Sequence, residues 1–390
     1  MDKTTYVIPF SLPWDRNADY QRQTALELAK RGTVIAYLRS EETFFLKRLI
    51  ARSVRYPAYK NIRFYCPVSV FPFGRFQLIR RLNRRINYFL FSYFVLNGKR
   101  VVLWIFDPEF YWLPAQTKGR SLYDCVDFHQ GYCPQKTIQT VKKQEQSLIR
   151  SVDFFFVNSD VLEKLHQSTR RPTVVPLGFR KNDFLLKGTK RITLSQKAQI
   201  IGFVGSIDER IDFDLLQTLA DRNTQWTIVL WGNVPDDAVD KDGINKRVAA
   251  LARRKNVIHG HSKNSDVPAI IRQFTVGMIP YRVSHPGARY AYPMKIFEYF
   301  YCGKPVVSTP LVELKRFPQY IKIGENAKEW EANIHDLLRR PWPKKYQQEQ
   351  RKLALENSWE EKIRAMLRLM NSTDPYARRR GPRADPEADR

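Results

Sequence analysis

The sequence predicts an α/β protein made of two doubly wound domains that face each other across a cleft. Three observations lead there. Short apolar runs alternate with segments of helical spacing along nearly the whole chain. Those runs are apolar at almost every residue, as strands covered on both faces by helices require. A polar segment, residues 181–198, divides the series into two halves, and 390 residues is an ordinary length for two domains.

In the first half the reading gives a strand over Thr4–Phe10, a helix over Ala18–Arg31 and a strand over Thr33–Leu38. Further strands fall at Arg100–Ile105, Arg120–Tyr123, Val152–Val157 and Thr173–Pro176, with helices at Thr137–Arg150 and Asp160–Gln167. Residues 41–100 read as an insertion. The second half opens with a strand over Gln199–Val204, ended by Gly205, and a helix over Ile211–Ala220. Strands at Trp226–Trp231, Asn256–His259 and Val276–Tyr281 alternate with helices near Ile244–Arg253 and Asp266–Phe274. A helix at Pro293–Cys302 then precedes a strand at Pro305–Ser308. Proline near its start and Gly303 at its end are the expected terminal residues. A charged helix, roughly Lys344–Met370, follows. The resulting division is a first domain over 1–180, a linker over 181–198, a second domain over 199–345, a C-terminal helix over 346–370 and a Pro- and Arg-rich tail, 371–390, expected to be disordered.

Composition narrows the class. Hydrophobic residues make up 43% and charged residues 27%, which is globular rather than disordered. The longest apolar run, Tyr88–Leu96, falls short of the ~20 residues a membrane-spanning helix needs. The opening MDKTTYVIPF does not read as a secretory signal, and four cysteines without CxxC spacing read as reduced thiols of a cytoplasmic protein. His259 and His261 lack clustered companions, so no metal is expected. Gly202–Gly205 lacks the third glycine of a dinucleotide fingerprint, and no GxxxxGK[ST] loop occurs.

The net charge of +27 attracts polyanions, either nucleic acid or an anionic membrane surface, unless it is simply a basic surface over an ordinary core. Residues 41–100 hold 13 basic residues against Glu41 and Glu42, so +11 of the +27 lies there, interleaved with aromatics. Arg75–Leu96, if helical, would set Arg80, Arg81, Arg84 and Arg85 among headgroups and its rings at the acyl boundary. The same mixture could grip RNA, and a nucleic-acid-binding α/β protein stays open as an alternative.

Pro293-Met-Lys-Ile-Phe-Glu-Tyr-Phe-Tyr-Cys-Gly-Lys-Pro-Val-Val-Ser308 carries the most chemistry. A helix opening with proline offers free N–H groups to an anion, with Lys295 in its first turn and Glu298 one turn on. A phosphate at that end and a carboxylate accepting from ribose hydroxyls would suit a nucleotide diphosphate.

This run resembles the donor-binding segment of glycosyltransferases of the GT-B fold related to family 4 (group 1). Gly202–Gly205 with Arg210, Ile228–Gly232, Asn256–Gly260 and Val276–Arg282 resemble the preceding strands in order, and Leu122–Asp127, Val152–Ser159 and Val174–Gly178 match in the first half. The nearest subgroup resembles bacterial polysaccharide enzymes of the teichuronic acid and xanthan-glucuronosyltransferase kind. The resemblance implies two Rossmann-like domains and an EC 2.4 hexosyl-type transferase without cofactor, its UDP- or GDP-linked sugar being a substrate. It implies a lipid-linked or polysaccharide acceptor, a peripheral place on the inner face of the plasma membrane, and no nucleic-acid partner. Glu298 matches the acid that holds the ribose, Arg210 meets the diphosphate, and Lys295 lies near diphosphate or sugar, with Gly205, Tyr290 and Met294 on the donor side. Where many relatives carry a further glutamate, eight residues before Glu298, this chain has Tyr290, which leaves the anomeric outcome open. Asp127 falls where relatives place a catalytic His or Asp and could take the acceptor's proton. Asp124 and His129 are alternatives, as is a structural role for the aspartates. Trp14 and Arg16, after the first strand, are acceptor-side candidates. A nucleotide-sugar epimerase or an inactive scaffold also stays open.

Overall fold

A computed structural model describes residues 4–11, 14, 19–38, 43–44, 59–71, 76–96, 100–185, 199–236, 238–262 and 266–372. The chain forms two compact units, one of residues 1–176 with 362–390 and one of residues 177–361.

The first unit is a parallel sheet of seven strands: β1 (Thr5–Phe10), β2 (Thr33–Leu38), β3 (Ile62–Tyr65), β4 (Val101–Ile105), β5 (Arg120–Cys125), β6 (Phe154–Val157) and β7 (Thr173–Val174), in the order β3-β2-β1-β4-β5-β6-β7. Central strands such as β4 are buried at every residue, which explains their unbroken apolar runs. Helices α1 (Asp19–Ala29), α2 (Gln77–Phe91), α3 (Ile138–Ser151) and α4 (Asp160–His166) join them.

Part of the basic aromatic stretch belongs to the sheet itself. Its Ile62 pairs with Val34, so β3 is the sheet's edge strand. Helix α2 then presents Asn83, Asn87 and Phe91 to the interior at four-residue spacing. Asn83 is a tolerated polar residue there because its amide exchanges two hydrogen bonds with the Phe71 backbone, at 2.8 and 2.9 Å. Residues 41–42, 45–58, 72–75 and 97–99 of the stretch lie outside the described residues, as do 186–198 of the linker and 373–390 of the tail.

The second unit repeats the design with six parallel strands: β8 (Ile200–Val204), β9 (Thr227–Trp231), β10 (Val257–Gly260), β11 (Val276–Ile279), β12 (Val306–Ser308) and β13 (Ile321–Ile323), ordered β10-β9-β8-β11-β12-β13. A short helix, α5 (Lys181–Leu185), starts the unit where a polar linker is expected. Phe184 makes the difference: it is buried against Phe179 and Tyr301. Helices α6 (Phe213–Arg222), α7 (Lys241–Ala252), α8 (Val267–Gln273), the single turn α9 (Pro286–Arg289) and α10 (Lys295–Tyr301) follow. Helix α10 is anchored by Tyr299, whose buried hydroxyl accepts from the Val204 amide at 3.2 Å. Strand β13 and helix α11 (Ala327–Leu338) are elements the sequence reading leaves out.

The predicted single C-terminal helix is two, α12 (Lys344–Glu356) and α13 (Trp359–Ser372). The break lies at Asn357, whose amide turns back to the Leu353 carbonyl, and Ser358, whose hydroxyl caps the Glu361 amide. From Lys362 onward α13 belongs to the first unit, where Lys362 meets Asp124 at 3.0 Å with both side chains 1% exposed. Among the described residues, no helix is long and apolar enough to cross a membrane.

Candidate functional site

The carboxyl end of β8 is where chemistry collects in the second unit, as expected for an open parallel sheet. Gly205 ends the strand with φ +135°, a conformation that side-chain-bearing residues rarely adopt. Its amide is held by the Trp231 carbonyl at 3.0 Å, and a Cβ at the neighbouring Gly232 would collide with the Gly205 carbonyl. The chain then turns through buried Ile207 to Asp208 and Arg210. The Arg210 guanidinium grips the Asp208 carboxylate with two bonds, 2.9 and 2.6 Å, and lies 5.1 Å over the Tyr281 ring.

Helix α10 brings the second cation. Lys295 Nζ bonds the Tyr281 hydroxyl and stands 4.5 Å over the Phe203 ring. A Cβ at Gly205 would lie 3.1 Å from Lys295 Cε, so strand end, loop and helix converge on one spot. The loop after β11 is stitched to the loop after β8 through Arg282, whose amide donates to the Arg210 carbonyl at 2.6 Å and whose guanidinium donates to the Glu209 carbonyl at 2.7 Å. Burial pushes the Asp208 carboxyl up, but the Arg210 hydrogen bonds and charge, helped by Lys295, outweigh it and hold it below the usual carboxylate range. Burial lowers His285, with Arg210 and Arg282 adding to it and Glu209 and Asp208 opposing it. Its Nδ1 accepts from the Gly287 amide at 3.1 Å. Arg210, Arg282 and Lys295 thus gather at the end of β8 together with the carboxylates of Asp208 and Glu209.

Glu298 is buried one turn along α10, and its Oε1 accepts from Arg180 Nη2 at 3.0 Å. Arg180, itself 3.5 Å from Asp183, is a site residue that sequence reasoning missed. Its partner lies 118 positions away, and no local pattern marks the pair. Tyr290 ends the α9 turn, half-buried with Arg289 over its ring, and Met294 immediately precedes α10.

In the first unit Asp127 follows β5 in a half-buried turn, and its backbone carbonyl accepts from the Cys125 thiol at 3.4 Å. The turn is pinned by Asn158, whose amide donates to the Val126 carbonyl at 2.6 Å. Asp124 cannot serve as an acceptor's base, because Lys362 and Trp104 Nε1 seal it in the interior. His129 begins the next turn with its ring 6.4 Å from that of Tyr123. Trp14 needs correction as an acceptor contact: it is wholly buried among Phe10, Tyr59 and Phe64, because an indole at the end of β1 finds a core of rings there. Arg16 lies outside the described residues.

Residues 198–340 match the family described as Glycosyl transferases group 1, and so contain the β8–α10 cluster. In sequence the chain is similar to the teichuronic acid biosynthesis glycosyltransferase TuaH of Bacillus subtilis (strain 168), 25% identical over 285 residues that make up 67% of this chain and 70% of that one. In structure it is similar to Anabaena Alr3699/HepE, crystallised in complex with UDP and glucose, with TM-score 0.69, 12% identity and coverage of 95% of this chain and 100% of that one. An α,α-trehalose-phosphate synthase (UDP-forming) from Burkholderia vietnamiensis is similar over 96% of this chain and 99% of its own, with TM-score 0.68 and 10% identity.

Proposed function

We propose that this chain, whose residues 198–340 match the group 1 glycosyltransferases and whose fold is that of GT-B enzymes, moves a sugar from a nucleoside-diphosphate sugar to a lipid-linked or polysaccharide acceptor at the cytoplasmic face of a membrane. The observation that carries the donor half is the convergence of Arg210 and Lys295 on Tyr281 beside Gly205. The two cations receive the diphosphate, the absence of a side chain at Gly205 lets it approach, and Glu298, with one oxygen held by Arg180, offers the other to the ribose hydroxyls. A UDP-linked sugar is the first donor to try, given the UDP in the HepE crystals.

For the acceptor half, Asp127 takes the proton of the attacking hydroxyl as the donor bond breaks. The membrane reading rests on α2 and the turn after it. Leu78, Leu82, Phe89 and Tyr93 are exposed at spacings of four, seven and four, one stripe on the side opposite Asn83, Asn87 and Phe91. Arg81 and Arg85 are exposed within and beside that stripe, so apolar side chains and cations meet an anionic interface together.

The test is thermal stabilisation by UDP, GDP, ADP and CMP on the wild-type chain, Glu298→Gln and Asp127→Asn, followed by transfer from the matching sugar nucleotide. One nucleotide should stabilise the wild type and Asp127→Asn alike but not Glu298→Gln, and Asp127→Asn should bind donor without transferring. Full transfer by Asp127→Asn would remove it as the base, and stabilisation by RNA alone would remove the donor reading.

A further inference from the structure

The first unit holds a buried group of side chains that glycosyl transfer as outlined above does not use. Cys125 ends β5, Glu145 lies within α3 and His166 closes α4, so three separate elements meet. Cys125 Sγ is 3.8 Å from Glu145 Oε1 and 3.9 Å from His166 Nε2, and His166 Nε2 is 3.7 Å from the same Glu145 oxygen. The Glu145 and His166 side chains are 3% and 7% exposed.

The His166–Glu145 separation is too long for an N–H···O hydrogen bond, which would draw the nitrogen and oxygen to roughly 2.9 Å, and the two sulfur contacts are at most weak thiol hydrogen bonds. The three separations suit coordination instead. A triangle with sides of 3.7, 3.8 and 3.9 Å has its centre about 2.2 Å from each corner, close to the roughly 2.0–2.3 Å that zinc keeps from nitrogen, oxygen and thiolate sulfur. The carboxylate is already oriented: the Tyr123 hydroxyl donates to Oε1 at 2.8 Å and the Gln130 amide to Oε2 at 3.2 Å, as the outer partners of a metal ligand do.

We propose that Cys125, Glu145 and His166 bind one divalent, borderline-soft cation of the zinc class, with a water as the fourth ligand. The mixed sulfur, nitrogen and oxygen set selects against magnesium and calcium, which take oxygen ligands. On binding, the Cys125 thiol gives its proton to solvent and its thiolate takes the metal, while His166 coordinates through its neutral nitrogen. The cation ties β5 to α3 and α4 and stiffens the turn of Asp127. It has no part in holding the donor, whose site lies in the other unit.

The full chain is stripped with chelator, dialysed and titrated with Co²⁺ and Zn²⁺. One equivalent of either should bind, with a thiolate-to-cobalt charge-transfer band for Co²⁺ and a rise in melting temperature for Zn²⁺. Cys125→Ser should lose the band, His166→Gln should weaken both metals, and Tyr123→Phe should keep the band with affinity about 10-fold lower. Cys302→Ser should match the wild type. No bound equivalent and no melting shift in the wild type would overturn the proposal, even if the variants failed to fold. A band that survives in Cys125→Ser would also overturn it, placing the metal on another thiol.

Discussion

Removing the amine of Lys362 isolates a buried charge. Lys362 Nζ lies 3.0 Å from Asp124 Oδ1, both side chains are 1% exposed, and among the described residues the one other donor to that carboxylate is Trp104 Nε1 at 3.3 Å. In Lys362→Ala the carboxylate stays sealed from water with one neutral, long hydrogen bond. Truncating one member of such a pair costs about 3–5 kcal/mol, a large share of the roughly 5–15 kcal/mol that holds a domain together. The double variant Lys362→Met with Asp124→Asn removes both charges and fills the space. It should recover most of the loss, since buried pairs and neutral replacements of similar volume come close to balance. Because the two units need not unfold together, the assay is hydrogen exchange read on peptides of β5 and α13. The single variant should lose protection there and the double regain it. The double variant should also keep glycosyl transfer, since Asp124 is sealed away from any acceptor. A single-variant loss below about 1 kcal/mol would refute the electrostatic argument, and loss of transfer by a folded double variant would refute the structural role of Asp124.

Two further outcomes test the donor cluster. Asp208 has a folded-state value below its unfolded one of about 3.9, so its ion pair contributes stability above that pH, and the contribution is lost as pH falls through the lower folded value. Melting temperature followed downward from about pH 5 should therefore drop less steeply in Asp208→Asn than in the wild type; parallel curves would show that the pair contributes nothing. Gly205→Ala places a methyl 3.1 Å from Lys295 Cε on a backbone at φ +135°, which should cost about 1–3 kcal/mol of stability. Calorimetric titration should also show weaker nucleotide binding, and unchanged stability and affinity would mean that the strand end is not the tight approach described.

Read from the sequence, the strands and helices around the cluster were legible because their signals are local. Burial on both faces makes β8, β9 and β11 unbroken apolar runs, and three residues of spacing put Lys295 and Glu298 on one side of α10. The β3 edge strand was not legible, because Ile62–Tyr65 is buried at one end only and carries Arg63 in an exposed position. Trp14 misled for a related reason: a tryptophan after a strand is equally suited to a ligand or a core, and only the rings of Tyr59 and Phe64, brought back some fifty residues later, decide for the core. The pairs that position chemistry are the most distant ones. Arg180 reaches Glu298 across 118 positions and Lys362 reaches Asp124 across 238, while Cys125, Glu145 and His166 come from one strand and two helices. Periodicity records how each segment faces a core and so belongs to the sequence alone. Which side chains meet inside that core depends on strand order and on how the chain closes, and those were decided only when the segments packed.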